Sequence, residues 1–137
     1  MSPEELLDGL FAAISARDLD AIDGLYHAEM RFWTNAAGDT IDRTGSLKIL
    51  RSFLRRVTSA RYEVLERRFW EGGAMQRHVL HVRLAEDRRE GAGDDGGAGR
   101  GDGEHAIDVC IVFGFAEGRI SRIWEYVDGR ALAPLGW

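Results

Sequence analysis

Four polar side chains interrupt strand-like runs that are otherwise largely apolar: Asn35, His81, Asp108 and Glu125. Burying such a group without a partner costs about 1–3 kcal/mol, so each must be paired, exposed or functional. Glu125 lies within Ile123-Trp124-Glu125-Tyr126-Val127 and shares a strand face with Ile123 and Val127. If that face points inward, desolvation raises the carboxyl pKa and suits the group to acid or base work near neutrality. If Trp124 and Tyr126 fill the interior instead, Glu125 is an exposed edge residue.

His81 occupies the nearly apolar run Val79-Leu80-His81-Val82-Arg83. It reads either as a neutral imidazole that relays protons or polarises an oxygen, or as a structural histidine held by a backbone or carboxylate partner. His78 falls on the opposite face of the same strand, so the two make no metal pair. Asp108 and Cys110 share one face opposite His105, Ile107, Val109, Ile111, Phe113 and Phe115. That face either lines a pocket or meets solvent or a second subunit. Asn35 closes a strand beside Trp33, where its amide could orient a water or a substrate oxygen, or simply make a turn before Ala36-Ala37-Gly38.

These residues depend on elements that the chain encodes locally. Ser2-Pro3-Glu4-Glu5 reads as a capped helix start, and Leu6, Leu7, Leu10, Phe11 and Ile14 make one apolar face to about Ala16. Asp18 caps a short second helix ending near Tyr26. Met30–Asn35 alternates as a strand, with Met30, Phe32 and Thr34 on one face and Arg31, Trp33 and Asn35 on the other. Residues 36–43 read as a loop, after which Thr44 caps a third helix carrying Leu47, Leu50, Phe53, Leu54 and Val57. Strands follow at 61–70, 74–85, 104–115 and 120–127, with turns at Glu71-Gly72-Gly73 and Ala116-Glu117-Gly118. Between the middle strands, residues 86–103 carry seven glycines from position 91 onward and read as a flexible hairpin loop. No helix start follows that run, which favours the loop over a phosphate-cradling reading.

Helices first and an antiparallel sheet afterwards predict an α+β fold. Three N-terminal helices would pack on a strongly curved sheet and enclose a cone-shaped pocket open at one end. At 137 residues the chain reads as one domain. A net charge of −5 argues against a phosphate-driven nucleic-acid binder. The single Cys110 excludes a disulfide framework. No apolar run approaches the ~20 residues of a membrane span, and the acidic start is unlike a signal peptide. The expectation is therefore a cytoplasmic protein.

The element order, together with Ser15-Ala16-Arg17-Asp18-Leu19-Asp20-Ala21-Ile22, Thr44-Gly45 and Gly118-Arg119-Ile120 leading to Trp124-Glu125-Tyr126-Val127-Asp128, resembles the nuclear transport factor 2-like superfamily. The likeness is greatest to its SnoaL-like group, related to ketosteroid isomerases and limonene-epoxide hydrolases. It implies the cone fold and a small-molecule site. Ketosteroid isomerases would place their Tyr and two Asp at Leu10, Thr34 and either Cys110 or Ile111, so that machinery is absent. The epoxide-hydrolase pattern falls on Trp33, Asn35 and Glu125, with Val79 standing where an Arg is expected and His81 where an Asp is. The resemblance thus implies Glu125, His81 and Asn35 as catalytic and Trp33 and Val79 as substrate-binding, and the strand pattern adds Asp108 as substrate-binding if its face lines the pocket.

The resulting expectation is cofactor-free acid/base chemistry on a small, largely apolar oxygenated molecule, of isomerase, cyclase, dehydratase or epoxide-hydrolase type. Neither a metal nor a nucleotide nor a flavin is called for. The alternative is a ligand-binding or dimeric interaction module without catalysis. In either case the aromatic outer face of the last strand predicts a homodimer, with no nucleic-acid or membrane partner.

Overall fold

The structure, a computed structural model, describes residues 1–85 and 103–136. Most of the loop expected over 86–103 lies outside the described residues. The elements run α1 (Pro3–Ser15), α2 (Leu19–Leu25), β1 (Tyr26–Thr34), β2 (Thr40–Asp42), α3 (Arg43–Arg56), β3 (Val57–Trp70), β4 (Gly73–Leu84), β5 (Glu104–Ala116), β6 (Arg119–Val127), α4 (Gly129–Leu132) and a 3₁₀ turn (Ala133–Leu135).

Local chemistry accounts for the helix boundaries. Ser2 and Glu5 form the reciprocal capping box, with Ser2 Oγ accepting from Glu5 N and Glu5 Oε1 accepting from Ser2 N. Asp18 accepts from Ala21 N and caps α2. The third helix starts earlier than Thr44: the Asp42 carboxylate accepts from Gly45 N at 2.9 Å and is the cap. Asp42 holds an extended backbone and carries a stronger acceptor than the Thr hydroxyl. At the other end of α3, Arg17 donates to the carbonyls of Leu54 and Val57, placing a cation where the helix dipole is negative.

The six strands form one sheet in the order β2-β1-β6-β5-β4-β3, with β3 and β2 at its edges. Four junctions are antiparallel, whereas β1 and β6 pair in parallel, so the sheet is mixed. Register shifts occur in β1, in β3 and between Gly114 and Phe115, the sort of irregularity that bends a strand. The turn between β5 and β6 is a two-residue loop in which both Glu117 (φ 52°) and Gly118 (φ 74°) are left-handed, as a type I′ turn requires. At the β3–β4 hairpin, a Cβ on Gly73 would lie 2.3 Å from Trp70 Nε1 and 2.9 Å from the Phe113 carbonyl, so only glycine fits.

Three boundaries differ from the sequence reading, each for a reason. Val57 belongs to β3, in keeping with its β-branched side chain and extended backbone (φ −126°, ψ 151°). Tyr26–Glu29 opens β1 because α2 stops once Ile22, its buried residue, has been placed. The reading of 36–43 as loop missed β2, three residues held by pairing of Arg31, Phe32 and Trp33 with Asp42, Ile41 and Thr40. The short α4 and the 3₁₀ turn were not foreseen; they return the chain so that Leu135 is fully buried.

The core lies between the concave sheet face and the helices. It joins Leu6, Leu7 and Leu10 of α1 and Ile22 of α2 to Phe113 and Ile120 of the sheet, all at most 2% exposed. No described helix is long and apolar enough to cross a membrane. The capping geometry separates two substitutions on one helix. Asp42→Ala should cost about 1 kcal/mol of stability, whereas Thr44→Ala, with no cap to lose, should be nearly neutral in the same urea titration.

Candidate functional site

The helices do not fill the concave face completely. A cavity of about 420 Å³ remains, within the range of small-molecule sites. Its walls are mostly hydrocarbon: Phe11 and Ile14 from α1, Leu50 and Phe53 from α3, Val109 and Ile111 from β5. Ala36, Ala37 and Ile49 line it while remaining exposed, and so mark its mouth. Six polar side chains interrupt this lining: Tyr26, Thr34, Ser46, Tyr62, His78 and Glu125.

Glu125 reaches the cavity because β6 turns Ile123, Glu125 and Val127 inward and leaves Trp124 and Tyr126 outside, 40% and 46% exposed. Thr34 of β1 and Ile111 of β5 are its register partners on either side. It lines the cavity, and no described residue donates a hydrogen bond or an ion pair to its carboxylate. Desolvation alone pushes its pKa up to about 7.

The tyrosines respond to the same enclosure. Burial pushes Tyr26 up to about 12, while the Ser46 hydroxyl pulls it partly back and Glu125 adds to the rise. Tyr62 also lies above its ordinary value, through burial and then through Glu125 and Tyr26. Both phenols therefore stay neutral and able to donate. His78 moves the other way, down to about 4, because burial and then the Arg67 cation oppose its protonation. It is 1% exposed and packs edge-on against Phe11 and Tyr62, with ring centroids at 5.3 and 5.1 Å. Near neutral pH, Glu125 is thus the one polar lining residue whose charge changes.

A SnoaL-like domain model matches residues 7–123. The chain belongs to the SnoaL-like family, within the nuclear transport factor 2-like superfamily. IdmH from Streptomyces antibioticus, a candidate polyketide cyclase, superposes with a TM-score of 0.76 at 16% identity, with all of both chains covered. An LEH-like epoxide hydrolase of M. tuberculosis gives 0.69 at 14%, covering 96% of this chain and 86% of its own. A protein of ketosteroid isomerase-like fold from Catenulispora acidiphila, crystallised with trimethylamine, gives 0.74 at 13%, covering 99% and 95%. Comparison with curated protein sequences finds no match. At these identities the likeness shows the SnoaL-like fold alone.

Of the residues singled out from the sequence of this SnoaL-like chain, Glu125 is the one in the cavity. Asn35 is exposed outside it, and its amide bridges β1 to the end of β6: Nδ2 donates to Val127 O at 3.1 Å and Oδ1 accepts from Val127 N at 2.9 Å. Trp33 also faces outward, where Nε1 donates to Gly38 O and the ring meets Tyr126 at 5.2 Å. The alternation of β1 was as expected, but Phe32 and Thr34 are its cavity side. On β4 the inward residues are Gln76, His78, Leu80 and Val82, so His81 points out and holds Glu63 Oε1 at 2.9 Å. Val79 lies on that same outer face, opposite the exposed Asp108 of β5. The structure therefore does not bring Asn35, His81, Trp33, Asp108 or Val79 to the cavity.

Tyr26, Tyr62 and His78 were missed. The run from Val79 to Val82 is apolar on both parities, so alternation could not choose a face for either histidine. The usable signal was Gln76 two residues before His78, a second polar side chain of the same parity. Among the described residues, no three His, Cys, Asp or Glu side chains gather as metal ligands would.

The raised pKa of Glu125 has a consequence for stability. Below about pH 4.5 the group is protonated folded and unfolded alike, and its titration adds no cost to folding. As pH rises from there towards 7, the unfolded chain releases a proton that the folded chain retains, so stability falls. Glu125→Gln should match the parent protein in thermal melts near pH 4 and exceed it at pH 8, by about 3 kcal/mol at most. Equal stability of the two at pH 8 would show that the carboxyl is not desolvated.

Proposed function

We propose that the cavity carries out cofactor-free acid/base chemistry on a small, largely apolar oxygenated molecule, with Glu125 moving the proton. The single observation that carries this reading is a carboxyl without a partner among the described residues, in a hydrocarbon-lined cavity, whose pKa burial pushes up to about 7. Such a group has both a populated base form and a populated acid form near neutrality. As a carboxylate it can remove a proton from a carbon acid or a water; as the acid it can return that proton to carbon or to a departing oxygen. The neutral phenols of Tyr26 and Tyr62 can donate hydrogen bonds to the oxygen on which negative charge develops. Isomerisation, aldol-type cyclisation, dehydration and epoxide opening all use this minimal set. The candidate cyclase and the epoxide hydrolase among proteins of the same fold support that range.

With the molecule that co-purifies as substrate, Glu125→Gln keeps the shape of the side chain and removes its titratable proton. It should lower kcat about 10²-fold or more with little change in KM, and the limb of the pH–rate profile near 7 should vanish. Undiminished turnover would refute the assignment, and binding with no turnover in the parent protein would make the cavity a binding site only.

We further propose that the outer sheet face receives a second copy of the chain. Trp124 and Tyr126 stand 40% and 46% exposed on adjacent outward positions of β6, with Arg122 stacked 4.7 Å over the Trp124 ring. Light scattering at micromolar concentration should give the mass of a homodimer, and Trp124→Glu should halve it by placing a charge at the centre of the buried patch. A monomer mass for the parent protein would overturn this.

A further inference from the structure

A line of side chains runs from the protein surface to the inner wall of the cavity. Asp8 of α1 accepts from Arg67 Nη1 at 2.7 Å, and Arg67 Nε donates to Gln76 Oε1 at 2.8 Å. Gln76 Nε2 then lies 2.9 Å from His78 Nδ1. Gln76 and His78 are 0% and 1% exposed, so neither can borrow a hydrogen bond from bulk water. The direction of every bond in this line is fixed by Arg67. A guanidinium has five N–H donors and no acceptor, so the atom of Gln76 that faces Arg67 must be the carbonyl oxygen. The amide nitrogen is thereby turned to His78, and because it too can only donate, Nδ1 must accept. A neutral imidazole whose Nδ1 accepts carries its proton on Nε2. An imidazolium would set an Nδ1–H against an N–H of Gln76, two donors facing each other in a buried place.

We infer that Arg67 and Gln76 are positioning residues that hold His78 as the neutral Nε2–H tautomer, making it a fixed hydrogen-bond donor to a carbonyl or enolate-type oxygen of the molecule in the cavity. This rests on the reading that the cavity takes an oxygenated molecule. His78 is a cavity-lining residue, and among the described residues none bonds its Nε2. A donor without a protein acceptor in an apolar wall is matched by a ligand with an acceptor at that depth, and a wholly hydrocarbon ligand would leave it unsatisfied. The division of labour follows: His78 donates without exchanging its proton, and Glu125 is left as the group that exchanges one. A neutral donor also avoids placing a cation beside Arg67, which already carries charge at the far end of the line.

The proposal is tested on the whole protein with ¹⁵N-labelled histidine, the four histidine resonances being assigned by substituting each in turn. His78 should show a protonated Nε2 and an unprotonated Nδ1, unchanged between about pH 5 and 8, where an ordinary histidine titrates. An Nδ1–H tautomer or an imidazolium at pH 7 would overturn it, whatever the variants do. Gln76→Glu puts an acceptor on both sides of position 76, so it should move the proton to Nδ1 while Arg67 still pairs with the carboxylate. Arg67→Lys, which still donates to the amide oxygen, should keep it on Nε2. An unmoved tautomer in Gln76→Glu would remove Gln76 from the mechanism. Acetophenone, an apolar ketone, is the ligand probe: at saturation it should shift the Nε2 and attached proton resonances and leave Nδ1 in place. Failure of the probe to perturb Nε2, bound or not, would refute the donor role. None of these readouts depends on the Glu125 proton, so loss of this proposal and loss of the Glu125 assignment are separate results.

Discussion

Every feature of the site follows from one constraint, that strands bent around an interior can show it only alternate side chains. Ile107, Val109, Ile111 and Phe113 of β5 meet the helices on the inner face, and Gln76, His78, Leu80 and Val82 of β4 and Ile123, Glu125 and Val127 of β6 share it. Hydrocarbon on that face supplies the burial that holds α1 and α2 against the sheet, at about 25 cal/mol for each Å² removed from water. It also sets the terms for any polar group there, because what is favourable for Phe113 is costly for a carboxylate. Glu125 takes that cost without a described partner. Gln76 and His78 avoid it by bonding one another and Arg67.

This difference sorts the lining residues by what they can do. A carboxyl responds to desolvation by holding its proton, and an imidazole by giving its proton up, so one environment drives Glu125 up and His78 down. Tyrosine, already neutral, is driven further from ionisation. In the proposed reading, an apolar cavity with one group poised near neutrality and several held in their neutral forms works as an acid/base site with fixed donors. The arrangement needs no precise ion-pair geometry. It needs only that the cavity stay apolar, which the core already requires.

The fold was legible in the sequence where two signals coincided. The capping box at Ser2 and Glu5 agreed with the apolar spacing of Leu6, Leu10 and Ile14, and the helix lies there. Asp18, the β3–β4 hairpin and the Glu117-Gly118 turn were equally plain, because turn and cap chemistry is local. Where tertiary pairing decides, the reading failed: β2 is three residues that exist as a strand through β1, and the parallel alignment of β1 with β6 has no local trace. The site was legible only at Glu125. There Trp124 and Tyr126 compete for the interior, and the resemblance of the last strand favoured the carboxylate.

The residues misplaced around Glu125 share a cause. The family resemblance points to Asn35, His81 and Trp33 as site residues, yet each is committed elsewhere: Asn35 to the backbone of Val127, His81 to Glu63, Trp33 to Gly38 and Tyr126. A polar side chain on the outer face finds such partners cheaply, since water completes whatever the protein leaves unmet. On the inner face it must either build its own network or stay unmet until a ligand arrives. His78, a cavity-lining residue, does both: Gln76 satisfies one ring nitrogen, and no described residue bonds the other. A half-satisfied polar group is unfavourable in a sealed core, where nothing could ever complete it. On the wall of a cavity the same deficit can be met by a molecule that enters with an acceptor in the right place, so on the proposed reading the half-satisfied imidazole would favour oxygenated over hydrocarbon ligands.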